Sequence, residues 1–237
     1  MSAVYGMHNR PTLPVGQFGM RSGRALACAD NFGIVIRGHG MHAAYPQLGI
    51  DVVVVAAQLI IALQTIVSRQ IAPLEAAVLS VTSIHAGSSD NVIPDEIRLR
   101  GTVRALSPDV QDRIETRLRE ISLSTAAMYG AAAEVQYERR YPSLYNDPER
   151  TAFCAGIARE IAGTDRVITD HEPIMGSDDF SFMSNVVPGA FVWIGGGPVE
   201  AGRFLHNPRY DFNDAILPIG ASYWARLVER ALPRERA

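Results

Sequence analysis

Charge bias is the first thing missing from this 237-residue sequence: 22 Lys and Arg stand against 25 Asp and Glu, a formal net charge of −3. A surface so close to balance gives no electrostatic reason to expect nucleic acid or an anionic membrane as a partner. Cysteine is scarce too. Cys28 and Cys154 are the two present, far apart in the chain, and with no export signal they read as reduced thiols of a cytoplasmic protein rather than a disulfide framework. There is no CxxC and no HExxH, which excludes the commonest zinc signatures. The start, "MSAVYGMHNR", lacks the apolar core of a signal peptide. The greasiest stretch, "VVVVAAQLIIAL" from Val52 to Leu63, is interrupted by Gln58 and falls short of the about 20 residues a bilayer span needs. Repeats and low-complexity segments are also missing.

What is present is the composition of an ordinary globular protein, 47% apolar and 20% charged. "GMHNRPTLPVGQFGMRSG" is rich in Gly, Pro and Asn and reads as loop. "ALACADNFGIVIRG" alternates as a strand does, and a helix is predicted over roughly Gly49 to Ser68. "AAVLSVTSIHAG" and "EIRLRGTVRAL" read as two further strands, with "SSDNVIPD" as the turn between them. Ser107 and Pro108 start a helix whose apolar residues Val110, Ile114, Leu118 and Ile121 lie on one face. "AAEVQYERRYP" is a fourth strand.

Residues 26–140 therefore read as β-α-β-β-α-β, the ferredoxin-like order. The flanks, 1–25 and 141–237, carry a helix opened by Asp147 and Pro148, the buried strand "GAFVWIGGG" and a closing helix "PIGASYWARLVERAL". They belong to a different α/β layer, and they are meagre for one with its own core.

Four of the six histidines, His8, His39, His42 and His206, fall in Gly/Asn/Pro-rich stretches. Singly, each reads as an ordinary surface histidine. His8 and His206 differ in that each precedes Asn beside rigid turn chemistry that would fix an imidazole for a metal ion. Two histidines do not complete a zinc site, which takes three or four protein ligands. "MGSDDFSFM" is the other dense spot. Ser177, Asp178 and Asp179 read as a helix cap with Phe180 and Phe182 in the core, or as a carboxylate pair beside a metal or substrate.

"GMHNRP", "GHGMHAAYP", "DNVIPDEIRLRGTVRAL", "MGSDDFSF" and "LHNPRYDFND" occur in this order. Together they resemble the metal-dependent amidohydrolases that include hippurate hydrolase, N-acyl-amino-acid and indoleacetyl-amino-acid hydrolases, carboxypeptidase G and aminoacylase. The resemblance implies an α/β fold: a two-metal aminopeptidase-like catalytic domain with an inserted ferredoxin-like lid, at 26–140, that also forms a homodimer. It implies two divalent ions (zinc, manganese or cobalt) and a small N-acyl-amino-acid substrate. It makes His8 and His206 metal ligands. It makes His42, rather than His39, the lid histidine that reaches the scissile carbonyl of the partner's site, where an imidazole donor stabilises a developing oxyanion. Asn91 becomes a substrate contact, Arg104 a carboxylate binder, and Asp178 a substrate-side carboxylate standing where many relatives carry glutamate.

Nothing here matches the family's upstream "HACGHD"-type motif or its Glu-Glu pair, which supply further ligands and the general base. The chain therefore reads as the C-terminal portion of such an enzyme. It is expected to cleave N-acyl or N-aroyl amino acids as hippurate hydrolase does once the rest is supplied. The alternatives are a non-catalytic dimerising remnant, one half of a split enzyme, or a small-molecule-binding regulator, a use ferredoxin-like modules often serve.

Overall fold

The computed structural model describes residues 1–197 and 204–232. Along the chain run β1 (Val4–Pro14), β2 (Phe18–Gly19), β3 (Gly23–Leu26), β4 (Ala29–Arg37), β5 (Met41–His42), α1 (Val52–Thr65), β6 (Ala77–Ala86), β7 (Val92–Ile93), β8 (Glu96–Ala105), α2 (Pro108–Met128), β9 (Ala132–Tyr141), β10 (Leu144–Asn146), α3 (Pro148–Ala162), β11 (Val167–Ile168), α4 (Phe180–Ser184), β12 (Gly189–Gly197) and α5 (Leu217–Ala231). They divide into two compact units. The first comprises residues 1–25, 144–174 and 178–237, the second residues 26–143 and 175–177.

The first unit is built on a four-stranded sheet of order β1-β12-β2-β11. β1 runs parallel to β12 from Val4↔Gly189 to Arg10↔Gly195, and among the described residues it has no strand on its outer side. This corrects the reading of the opening residues as loop. Gly6, Asn9, Pro11 and Pro14 are poor strand formers, and tertiary pairing overrides their preference. The register shifts between Arg10 and Pro14. There the glycines closing β12 are required: a Cβ on Gly195 would lie 1.9 Å from the Pro14 carbonyl oxygen, and one on Gly197 2.0 Å from that of Pro11. One face of this sheet is sealed by Cys154, Ala155 and Ala158 of α3 and Tyr223 and Leu227 of α5, against Phe18, Val192 and Ile194. Asp147 caps α3 by accepting the Arg150 N–H at 2.9 Å, as its place before Pro148 predicts.

The second unit has the β-α-β-β-α-β order over β4, α1, β6, β8, α2 and β9, in a sheet of order β6-β8-β4-β9. Period-2 alternation sends Phe32, Ile34 and Ile36 of β4 and Ile97, Leu99 and Val103 of β8 into the core beneath the helices, and leaves Asn31, Gly33, Arg98 and Arg100 on the other face. α1 begins at Val52, later than the sequence suggests. Asp51 is its cap, accepting from the amides of Val53 at 3.0 Å and Val54 at 3.3 Å. A wider turn over Ile66–Gln70 continues it. The helical run Val52–Gln70 thus reaches 19 residues at a mean hydropathy of 1.9, long and apolar enough by those measures to cross a membrane. Here its inner stripe, Val52, Val55, Leu59 and Leu63, is core. Full burial of one such side chain contributes about 1.5–3 kcal/mol. α2 starts after Ser107, although the Ser107 hydroxyl makes no capping bond.

A polar knot is buried under α2. Asp30 is fully buried. Its carboxylate accepts Gln111 Nε2–H at 2.9 and 2.8 Å and the Tyr137 hydroxyl at 2.8 Å, which is how a buried acid avoids a prohibitive desolvation cost. Burial raises the Asp30 pKa above the ordinary carboxylate value, opposed chiefly by the Gln111 and Tyr137 hydrogen bonds. Burial, with the nearby Asp30 charge, pushes the Cys28 thiol up to about 11, and burial pushes Cys154 to about 11. Both thiols are free and buried, and a raised pKa disfavours the nucleophilic thiolate.

Candidate functional site

On the first unit, His8, Asp178 and the loop around His206 are the residues singled out by the sequence. His8 lies within β1, opposite Trp193 of β12, so a strand and not a loop positions it. Its Nδ1–H donates to the Asn9 carbonyl at 2.7 Å. A carbonyl only accepts, so the proton sits on Nδ1 and the Nε2 lone pair is left available, the arrangement a metal-ligating imidazole adopts. The same face carries an aromatic floor: His8 is 6.4 Å from the Phe191 ring, Phe191 lies edge-on to Trp193 at 5.7 Å, and the His171 ring is 4.9 Å from Trp193. The Arg10 guanidinium lies 5.7 Å above the same tryptophan. Neither Arg10 nor His171 stands out in the sequence. The signal for Arg10 was its i+2 spacing from His8 once the segment is known to be a strand. On the other side of β1 a cavity of about 490 Å³ is lined by Met7, Asn9, Ile194, Phe212 and Trp224 together with His8.

Asp178 accepts the Phe180 N–H at 2.9 Å through Oδ1, and its carbonyl accepts from the Ser181 hydroxyl at 2.7 Å. It therefore anchors α4, as the capping reading expects. Phe180 is buried, but Phe182 is exposed, which corrects its placement in the core. Burial raises the pKa of Asp178. The Phe180 amide and the nearby His8 pull it back, and neighbouring Asp179 adds to the rise.

His206 is exposed and has φ +65, the one non-glycine among the described residues in the left-handed region, a conformation that costs free energy for a residue with a Cβ. The turn is pinned around it. The Asn207 amide donates to the Phe204 carbonyl at 3.0 Å, the Asn207 side chain accepts the Arg209 N–H at 2.8 Å, and Asn9 Nδ2–H donates to the Tyr210 hydroxyl. No group of three His, Cys, Asp or Glu among the described residues is placed to hold a metal ion. His8 has the right tautomer for a ligand, but the described residues do not make a closed metal site.

On the second unit the structure brings His42 and Asn91 together. β5 pairs with β7 through His42↔Val92, and the Ala43 amide donates to the Asn91 carbonyl at 2.9 Å. His42 Nδ1 accepts the Ala44 N–H at 3.1 Å. Its neutral ring therefore carries the proton on Nε2 as a donor, the opposite tautomer to His8. The Ser89 hydroxyl donates to Asn91 Oδ1 at 2.7 Å. Arg104 stands apart on β8, its guanidinium donating to the Thr102 hydroxyl and, at 2.9 Å, to the Val103 carbonyl.

The model of peptidase family M20/M25/M40 matches residues 1–230. The chain belongs to this family. Among M20 relatives, an N-acetylcysteine deacetylase of Bacillus subtilis strain 168 is 37% identical over 227 residues, 96% of this chain and 58% of the relative. An N-acetyldiaminopimelate deacetylase of Leuconostoc mesenteroides is 34% identical, over 90% of this chain and 54% of the relative. The crystal structure of the Bacillus subtilis YXEP protein, described as a dinuclear metal binding peptidase from the M20 family, superposes with a TM-score of 0.80 at 32% identity, covering 98% of this chain and 57% of that one. The chain thus spans a little over half the length of these M20 relatives.

Proposed function

We propose that this M20 chain contributes to a metal-dependent amidohydrolase that releases an amino acid from an N-acyl or N-aroyl amide, in the manner of hippurate hydrolase. The observation that carries the reading is the opposite tautomers of its two key histidines. His8 offers an Nε2 lone pair, which suits a cation. His42 offers an Nε2–H, which suits an oxyanion. An amide hydrolase needs both, since charge accumulates on the carbonyl oxygen as water attacks.

In this reading His8 and His206 are two of the ligands of a pair of divalent ions (zinc, manganese or cobalt). When bound, such ions supply water activation and carbonyl polarisation. Asp178 orients that neighbourhood from the head of α4. His42 donates to the developing oxyanion, Asn91 on the same ribbon contacts substrate, and Arg104 takes the substrate carboxylate. Residues 26–140 act as an inserted lid that pairs with a second copy. The outer stripe of α1, with exposed Val53, Val54 and Ile61 and no charge from Val52 to Ser68, is the apolar surface suited to that pairing.

In this reading the remaining ligands and the general base come from the part of the relatives' length that residues 1–237 do not span. A second reading, a non-catalytic dimerising protein, draws its support from the lack of a three-ligand cluster among the described residues. One experiment separates them. Residues 1–237 are assayed on N-acetyl- and N-benzoyl-amino acids with zinc, manganese or cobalt, alone and mixed with the upstream half of an M20 relative. The proposal expects almost no hydrolysis alone and metal-dependent hydrolysis in the mixture. Failure of every mixture that associates favours the non-catalytic reading, and robust hydrolysis by residues 1–237 alone overturns the assignment of the base and ligands to another segment.

A further inference from the structure

Two glycines sit mid-strand in the second unit's sheet, and only one is explained by packing. A Cβ on Gly101 of β8 would lie 2.2 Å from both the Phe32 ring and the Ser80 carbonyl oxygen, so the helix-covered face demands glycine there. Gly33 of β4 is on the uncovered face. A Cβ on it would meet nothing nearer than the Leu99 carbonyl oxygen at 4.0 Å, and its φ is not positive. Glycine within a strand costs about 0.5–1 kcal/mol relative to alanine. Among the described residues neither packing nor backbone conformation offsets that cost, and a strand glycine of this kind marks a place where something else approaches the backbone.

What Gly33 creates is a notch of about 440 Å³. The register sets its walls. Arg100 of β8 and Gln136 of β9 lie directly across from Gly33, and in the next row Thr102 and Glu138 flank Asn31. Thr82 closes the β6 side. The other arginines on this face of β8 are engaged: Arg98 pairs with Glu96 at 2.7 Å, and Arg104 is held by Thr102 and the Val103 carbonyl. The Arg100 side chain has no ion-pair or hydrogen-bond partner among the described residues; what is engaged is its backbone, in the ladder with β4 and β6 and, at its carbonyl, by the Thr82 hydroxyl. A fork of guanidinium donors beside two carboxamides matches a carboxylate attached to an amide or amine.

We infer that the notch over Gly33 binds a small carboxylate-bearing molecule of amino-acid size, with its carboxylate on Arg100 and its nitrogen end between Asn31, Gln136 and Glu138. An acylated amino acid and the free amino acid share this chemistry. The site does not depend on hydrolysis or on a metal, so it stands or falls separately from the proposed function.

The full chain, labelled with ¹⁵N and held in chelator, is titrated with N-acetylglycine, with glycine and with the uncharged N-acetylglycinamide. The expected result is saturable shifts of the Gly33, Arg100 and Gln136 amides with at least one of the two carboxylates, and none with the amide. Which carboxylate binds identifies the source of the ligand. Gly33→Val fills the notch with a side chain the sheet has room for, and Arg100→Gln removes the cation. Each should weaken binding by at least about tenfold, while the melting temperature of Gly33→Val stays equal to that of the parent or rises. The absence of shifts at these residues, equal binding of N-acetylglycinamide, or undiminished binding by Gly33→Val would each overturn the site. So would a loss of self-association in Gly33→Val, because the notch would then be filled by a second copy.

Discussion

Asn9 and Tyr210, 201 residues apart, are joined by a hydrogen bond from the Asn9 carboxamide to the Tyr210 hydroxyl. It ties the strand that carries His8 to the loop that carries His206. The loop must hold His206 at φ +65. Tyr210→Phe removes this tie with little change in shape. We expect a global stability loss of no more than about 1 kcal/mol, but faster hydrogen exchange at the Asn207 and Tyr210 amides, which close the two turns of the loop. Unchanged exchange at those amides would show that the turns hold themselves.

The tautomers of His8 and His42 are directly readable. Long-range ¹⁵N–¹H spectra above the titration range should show His8 with its proton on Nδ1 and His42 with its proton on Nε2, because one ring faces a carbonyl and the other an amide. In an active assembly, His42→Ala should lower kcat by about 10²–10³ with a small change in KM, the mark of a donor that acts in the transition state. A raised KM at normal kcat would make His42 a binding residue only.

Asp30 gives the second unit a pH dependence of known sign. Burial raises its folded pKa above the unfolded value of about 3.9. Stability from this group is complete below the unfolded pKa and is lost as pH rises through the raised folded one. Asp30→Asn cannot ionise, but it loses one acceptor for Gln111 or Tyr137. Urea unfolding should therefore find it less stable than the parent at low pH by about 1–3 kcal/mol, with the gap narrowing as pH rises. A gap that widens with pH would mean that the ionised carboxylate is the better-accommodated form.

Gly101→Ala should be the costly partner of the tolerated Gly33 substitution. The added methyl meets the Phe32 ring and the Ser80 carbonyl at 2.2 Å, and backbone cannot yield as a flexible side chain can. Overpacking of this kind costs about 1–3 kcal/mol or more, to be read as a lower urea midpoint at unchanged slope.

The second unit was legible in the sequence because each strand alternates and each helix has an apolar stripe; local pattern and fold agree from Ala29 to Tyr141. β1 was not. "GMHNRPTLP" holds two prolines, a glycine and an asparagine, and only its pairing with β12 makes it extended. A clue lay elsewhere in the chain, in the "GGG" that ends β12, where Gly195 and Gly197 leave room for Pro14 and Pro11. The Asp178 cap was readable from Ser-Asp-Asp before an apolar pair, but which phenylalanine turns inward depends on what covers α4. His42 and Asn91, 49 positions apart, meet through a ribbon too short to give a periodic signal.

β1 also bears on how the chain behaves in a test tube. Among the described residues it is an outer strand: every other N–H and C=O pair faces β12, the rest face away with no strand beside them, and it is only half covered along most of its length. Such a rim is a template, and it extends any chain that docks in register. During refolding, first-order closure of the sheet competes with second-order capture of another rim. The yield of monodisperse protein should therefore fall with concentration, and short peptides copying "VYGMHNR" should poison growth by terminating the rim.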